Sequence, residues 1–329
     1  MNDKYSWLRQ GTKGLVCTPG KFVIDPIQPT DLAVITHGHA DHARSGHRHI
    51  IATPETIAIM RARYKDIRKE STTPLDFGVA KKINDVEIRF ASAGHILGSA
   101  QVVIDYRGTR VVVSGDYKRR ADPSCEPFEL VPCNLFITEA TFGLPVFSHP
   151  PADTEVLKLL NSLKKFPDKT HLVGVYALGK CQRLLCHIRK HGYTEPIFIH
   201  GAMRPLCDLY KSFGYELGEL VQVTSRVKKI TAGKIVVCPP SAIAEKWSRG
   251  FVSPMTCLAS GWMRIRQRVK QRQIELPLII SDHADWYELT TTVREVGAKD
   301  IWVTHGQEEA LVHYAQTIGL NSAPLSLQT

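Results

Sequence analysis

Residues 36–42 read Thr-His-Gly-His-Ala-Asp-His, which places four metal-ligand side chains, His37, His39, Asp41 and His42, within six residues. In an extended segment alternate side chains share a side, so His37 and His39 project together, and Asp41 and His42 follow in a turn. Two imidazoles on one side with a carboxylate–imidazole pair beside them suit two metal ions rather than one. Histidine and carboxylate ligands without cysteine match Zn²⁺ and also Mn²⁺. The bland alternative is a polar loop that happens to be rich in histidine. Four ligands directly after the apolar run LAVIT (32–36) argue against it.

Two more ligand types stand at strand-to-loop transitions, Gly94-His95 after VEIRF (86–90) and Ser114-Gly115-Asp116 after TRVVV. Either residue alone is more often structural. The small residues Gly94, Gly98 and Ser99 are those a loop pressed against a metal site requires.

The elements around these residues change character along the chain. Short β-branched runs (FVID, LAVIT, HIIAT, VEIRF, QVVIDY, TRVVVSG, NLFITE) fill the first 145 residues, with Arg107-Gly108-Thr109 predicting a hairpin and one helix expected from Pro54 to about Arg68. Strand–helix alternation from about 150 to 275 predicts a parallel α/β insertion. TCLASGW, LPLIISDH and DIWVTHGQ read as further strands, with helices from Trp286 and Glu308.

The 329 residues carry 42 Lys+Arg against 32 Asp+Glu, a formal charge of +10 that favours a polyanionic partner. A hydrophobic fraction of 43% is enough for a real core and excludes a disordered composition. No apolar run approaches the roughly 18 residues that a bilayer span needs. The N-terminal residues lack the apolar stretch of a signal peptide, so a soluble, cytoplasmic protein without a membrane partner is expected. Eight scattered cysteines without a CxxC pair read as buried or free thiols of a reducing compartment.

The HxHxDH run, with His95 and Asp116 following in order, resembles the metallo-β-lactamase superfamily. Downstream, Ile137-Thr138-Glu139-Ala140-Thr141-Phe142-Gly143, Ser281-Asp282-His283-Ala284-Asp285 and Val303-Thr304-His305-Gly306 resemble motifs A, B and C of the β-CASP nucleases. The segment Tyr176-Ala177-Leu178-Gly179-Lys180, with Gln182, resembles the first strand–helix junction of their inserted domain. The resemblance implies an α/β fold: a metallo-β-lactamase αββα sandwich made of residues 1–149 and 276–329, with an inserted α/β β-CASP capping domain over 150–275.

Carried over residue by residue, it implies that His37, His39 and His95 hold one divalent ion. Asp41, His42 and His305 hold a second, and Asp116 bridges the two. A pair of ions acidifies a shared water and stabilises charge on a phosphoryl oxygen, so Asp116 and Asp41 count among the catalytic residues. His283 is implied as a phosphate ligand and proton donor to the leaving oxygen, and Glu139 as the carboxylate that orients a histidine.

The substrate class divides the motifs. His305 in motif C and Glu139 in motif A are found in RNA-processing members, where Artemis-type DNA nucleases typically have an apolar residue and Asp. Longer stretches, GLVCTPGKFVIDP, THGHADHARSGH, TPETIAIMRARY, ITEATFGLPVFSHP, ASGWMRIR and SDHADWYEL, are instead similar to the bacterial ligase-associated DNA exonucleases. The expectation is a metal-dependent exodeoxyribonuclease acting on DNA ends 5′-to-3′ in DNA repair, alongside an ATP-dependent DNA ligase and a helicase. The alternative is a β-CASP ribonuclease. A small-molecule hydrolase and a non-catalytic nucleic-acid scaffold are weighed below these, against the long insertion, the +10 charge and the complete ligand set.

Two basic segments are candidates for the nucleic acid. Arg264, Arg266, Arg268, Lys270 and Arg272 would share one side of an extended strand, and Lys118, Arg119 and Arg120 follow Asp116. Arg61, Arg63, Lys65, Arg68 and Lys69 read as a solvated helix face. His47 and His49 are expected at the surface.

Overall fold

The computed structural model describes residues 3–328. The chain forms two compact units: one from the residues up to Phe147 together with those from His283 onward, the other from Ser148–Asp282.

The first unit carries two sheets. One has six strands in chain order: Leu8–Gly11, Gly14–Cys17, Phe22–Ile24, Leu32–Val34, His49–Ala52 and Thr72–Pro74. The other has seven, in the order Asn321–Pro324, Asp300–Gly306, Leu135–Ala140, Thr109–Val113, Ala100–Tyr106, Val86–Ser92 and Ala80–Ile83. Its strands from 109 to 139 read as near-continuous apolar runs because both of their faces are buried. Val102, Ile104, Val111 and Ile137 meet Phe22, Val34 and Ile51 of the six-stranded sheet. The alternate residues Val103, Val112 and Phe136 turn to the other face and pack on Leu289 and Val293 of helix Trp286–Glu295 and on Leu311 and Ala315 of helix Glu308–Thr317. Helix Pro54–Arg63 lays Ile57 and Met60 on Ala33, Ile35, Ile50 and Ala52, covering the outer face of the six-stranded sheet. The layers of this unit are helix, sheet, sheet, helix, the αββα arrangement expected from the motifs.

Local chemistry explains several of these elements. Arg107 and Gly108 have φ of 47° and 72°, the two positive values of a type I′ turn, and they close the hairpin between Ala100–Tyr106 and Thr109–Val113. Helix Pro54–Arg63 starts on Thr53, whose hydroxyl accepts the Thr56 N–H, with Pro54 in its first turn. It stops at Tyr64, which is extended, rather than running to Arg68. Helix Trp286–Glu295 is opened by a reciprocal capping box between Asp285 and Glu288.

The second unit is a six-stranded sheet in the order Leu220–Gln222, Ile197–Ile199, Ile235–Cys238, Thr170–Gly174, Pro254–Ala259, Leu276–Leu278, with every pair parallel. Its helices are Ala152–Lys165, Lys180–Lys190 and Arg204–Ser212, and a short turn of helix covers Arg266–Gln271. That last element corrects the extended reading of 264–272. Ile265 and Val269 are spaced i, i+4 and joined by a Val269 N–H to Ile265 C=O bond, so the segment half-buries its two apolar residues at helical rather than strand spacing. Arg266, Arg268, Lys270 and Arg272 therefore do not share one side. Among the described residues, no helix is long and apolar enough to cross a membrane.

Candidate metal centre

The loop that leaves strand Leu32–Val34 is not extended, yet it brings its ligands together. Thr36 is the pivot: its N–H and hydroxyl both donate to Asp25, at 2.8 and 2.6 Å, while its Oγ1 lies 3.0 Å from Nδ1 of His37. Asp25 Oδ2 also meets Nδ1 of His42 at 2.8 Å. One carboxylate thus fixes the loop backbone and one ring edge of His42, turning its Nε2 inward. Asp25 has a φ of 43° at the end of strand Phe22–Ile24, a left-handed position that aspartate tolerates better than most residues. Sequence reasoning assigned Asp25 no role; an Asp-Pro pair directly after an apolar strand was the available signal. Arg63 is a second missed residue. It was expected on a solvated face, but its Nη1 donates to the Gly38 carbonyl at 2.5 Å and clasps the ligand loop.

His95 sits in the loop after strand Val86–Ser92. The Ser99 hydroxyl accepts the N–H groups of His95 and Ile96 at 3.0 and 3.1 Å, and the Gly98 carbonyl accepts the Thr53 and Thr56 hydroxyls. Gly94 has a φ of +68°, and a Cβ there would collide with the Lys118 carbonyl and the Phe128 backbone. The small residues around His95 are therefore steric requirements.

Asp116 and His305 stand at the ends of Thr109–Val113 and Asp300–Gly306, which flank Leu135–Ala140 in the sheet. Asp116 Oδ2 lies 3.4 Å from His37 Nε2, 3.6 Å from His42 Nε2, 3.8 Å from His95 Nε2 and 3.9 Å from His283 Nδ1, and its Oδ1 lies 2.9 Å from His305 Nδ1. His39 Nδ1 meets His95 Nε2 at 3.0 Å, and Asp41 Oδ2 is 3.8 Å from His305 Nε2. Ligand atoms of His37, His39, His95 and Asp116 fall within 4.8 Å of one another, as do those of Asp41, His42 and His305. The structure brings all seven expected ligands together, with Asp116 against members of both groups.

The donor set fits divalent cations. Nε2 of His37 is buried without a hydrogen-bond partner and is directed at a carboxylate oxygen. Burial, with His42 nearby, pushes the His37 pKa down, which keeps this ring neutral and able to ligate. Burial alone would raise Asp116, but His42, His283, His305 and His37 hold it well below the usual carboxylate range. His42, despite its own burial, is lifted to about 9 by Asp116 and Asp25. His305 is lifted to about 11 by its hydrogen bonds to Asp116 and Asp41, and Asp41 is lowered by that same bond to His305. Carboxylates that draw protons onto imidazoles this strongly mark a place where positive charge belongs. His305 also has a φ of 59°, a conformation rare for a non-glycine residue and found at ligand clamps.

Behind the ligands, Glu139 is 1% exposed on strand Leu135–Ala140. It accepts the Tyr117 N–H at 2.8 Å and faces His283 Nδ1 with both oxygens, at 3.0 and 3.2 Å. The residue expected to orient a histidine meets the one expected at the phosphate.

The basic residues after Asp116 are a different matter. Lys118 is buried and its Nζ pairs with Glu288 at 3.0 Å while donating to the His283 carbonyl at 3.1 Å. It is a brace of the site rather than a nucleic-acid contact, which corrects the sequence expectation. Arg119 pairs with Glu295 and stacks on Phe128, and Arg120 pairs with Asp285. Glu288 accepts the main-chain N–H groups of Arg119 and Arg120 as well. Arg264, Arg266 and Arg268 are exposed in the second unit. His47 is buried, against expectation.

No family model matches the sequence. A protein named "Probable DNA ligase" from Opitutus terrae is 28% identical over 303 residues, covering 90% of this chain and 28% of that protein. An "Endoribonuclease ysh1" from Aspergillus fumigatus is 32% identical over 135 residues, 38% of this chain and 15% of that protein. The chain thus spans well under a third of either relative. A solved structure, a protein of unknown function from Enterococcus faecalis, superposes with a TM-score of 0.59 at 11% identity, over 88% of this chain and 78% of that one, and shows a shared fold. Fold and relatives converge on one conclusion: the chain is a mixed α/β protein similar, at moderate identity, to proteins named as a probable DNA ligase and an endoribonuclease.

Proposed function

We propose that this chain is a two-metal phosphodiesterase acting on DNA ends, a 5′-to-3′ exonuclease of DNA repair. The observation that carries the reading is the ligand set: seven His and Asp side chains in two groups with one buried carboxylate, Asp116, against members of both. His37, His39, His95 and Asp116 would hold one ion, and Asp41, His42, His305 and Asp116 the second. Zn²⁺ and Mn²⁺ both suit these donors. When bound, the ions supply an acidified water and stabilise charge on a phosphoryl oxygen.

The remaining steps belong to side chains. Glu139 takes the Nδ1 edge of His283, so Nε2 is the edge that faces a scissile phosphate and carries a proton to the departing sugar oxygen. The Glu139–His283 pair has the geometry of a general acid with its orienting carboxylate, and Lys118 steadies the His283 backbone. DNA is favoured by the name of the Opitutus relative, which covers 90% of the chain, and by the +10 charge. An ATP-dependent ligase and a helicase are the proposed partners on the same reading.

A ribonuclease is the second reading, favoured by His305 in the centre and by the name of the Aspergillus relative. End-labelled DNA and RNA strands of one sequence, incubated with Mn²⁺ or Zn²⁺, separate the two. Faster shortening of the 3′-labelled DNA supports the exodeoxyribonuclease, and a clear preference for RNA moves the assignment to RNA processing.

A further inference from the structure

The second unit holds a cavity of about 110 Å³ lined by Tyr176, Leu258, Ser260, Trp262, Arg268 and Arg272, among others. Its position follows from topology. From the central strand Thr170–Gly174 the chain runs out to one edge of the sheet and returns at Ile235–Cys238. It then crosses to the other side for Pro254–Ala259. Tyr176, Pro240 and Ser260 lie just past the carboxyl ends of these three strands. In open parallel sheets, the crevice where the chain changes sides is the general place for a ligand.

The lining is chemically one-sided. It contains two guanidinium groups and no carboxylate. Arg268 and Arg272 are one helical turn apart, and among the described residues neither has an ion-pair partner. The Arg268 guanidinium lies over the Trp262 ring at 4.2 Å, which holds its plane and leaves its N–H edges for an anion. Tyr176 is 59% exposed, which is unusual for so large a ring. Lys180, anchored to Asp282 at 3.0 Å, sits 4.9 Å from its centroid. A planar guanidinium pair beside an exposed, braced aromatic ring matches one nucleotide, with phosphate on the arginines and base on the ring.

We infer that the crevice formed by Tyr176, Trp262, Arg268 and Arg272 is a nucleotide-binding subsite that holds a phosphate and the adjoining base of a single strand. The inference rests on the nuclease reading for its biological use, but its binding chemistry is independent of metal. The test is fluorescence anisotropy of a labelled ten-nucleotide oligothymidylate with the whole chain in chelator, across a salt series. Arg268→Gln/Arg272→Gln is expected to weaken binding on the order of tenfold and flatten the log–log salt slope by about 0.7, the share of one phosphate. Tyr176→Ala should weaken it about fivefold or more, and Tyr176→Phe should not, since stacking uses the ring. These residues are exposed, and matching thermal melts keep the comparison within folded protein.

Wild-type affinity and slope in the double glutamine variant would overturn the inference, as would failure of the wild type to bind the strand. Equal competition by polyglutamate would overturn the nucleotide assignment in favour of an unspecific anion site. Metal-dependent cleavage is read separately: cleavage with an unaffected salt slope sinks the subsite alone, and binding without cleavage sinks the nuclease reading alone.

Discussion

Nδ1 of His305 lies 2.9 Å from Oδ1 of Asp116, although 189 residues separate them. Leu135–Ala140 runs between the strands that end in these residues, and parallel pairing with both neighbours sets all three ends at one level. His305 is therefore the member of the second ligand group that the fold delivers from the far end of the sequence. His305→Ala should lower bound metal from about two ions per chain to about one, while His37, His39 and His95 keep the first. Elemental analysis of dialysed protein checks this; two ions retained would remove His305 from the ligand set.

Glu139 faces Nδ1 of His283 with both oxygens, at 3.0 and 3.2 Å. Glu139→Gln keeps the shape but can present an N–H where an acceptor is needed. Turnover should fall about 10- to 100-fold, with metal content intact and the acid limb of the pH–rate profile displaced. A fall in metal content that accounts for the whole loss would make Glu139 a ligand-shell residue instead.

Gly94 is required by geometry rather than by flexibility. With φ at +68° and the Lys118 carbonyl in the path of a Cβ, Gly94→Ala must shift the loop that carries His95. The expected result is a melting temperature several degrees lower and weaker retention of metal. Gly108→Ala, also at positive φ but with open space around it, should cost less and leave metal binding unchanged.

The buried pair of Glu288 and Lys118 gives a pH prediction. Burial would raise the Glu288 pKa, but Lys118, Arg120 and the main-chain N–H groups of Asp285 and Arg120 outweigh it and hold it at about 2. A carboxyl whose folded pKa is depressed stabilises the fold above its unfolded value, near 4.5, and that contribution disappears as pH falls towards 2. Glu288→Gln leaves Lys118 buried without its counter-charge, so it should cost about 3 kcal/mol at pH 7. The gap between wild type and variant should narrow below about pH 4. Thermal melts from pH 7 to 3 report it, and a constant gap would contradict the ionic account.

Much of this centre is legible in the sequence because its signals are local. The HxHxDH run and the residues directly after apolar strands mark where strands end, and strand ends are where a sandwich gathers its ligands. What was not legible depends on partners distant in sequence. Lys118 reads as a surface cation until Glu288, 170 residues away, is found against it. Asp25 and Arg63 act through Thr36, His42 and Gly38, which spacing alone does not connect. Alternating charge at 264–272 imitates a strand, but the i, i+4 pair Ile265 and Val269 decides for a helical turn.

The central claim is that Asp116 organises two metal ions for phosphodiester hydrolysis. The most direct measurement is cleavage of a 3′-labelled DNA strand by wild type and Asp116→Ala, each with Mn²⁺ or Zn²⁺ and each assayed for bound metal. The account predicts metal-dependent shortening by the wild type and loss by at least about a thousandfold in the variant, about 4 kcal/mol of transition-state stabilisation. Equal cleavage by the two proteins would contradict it.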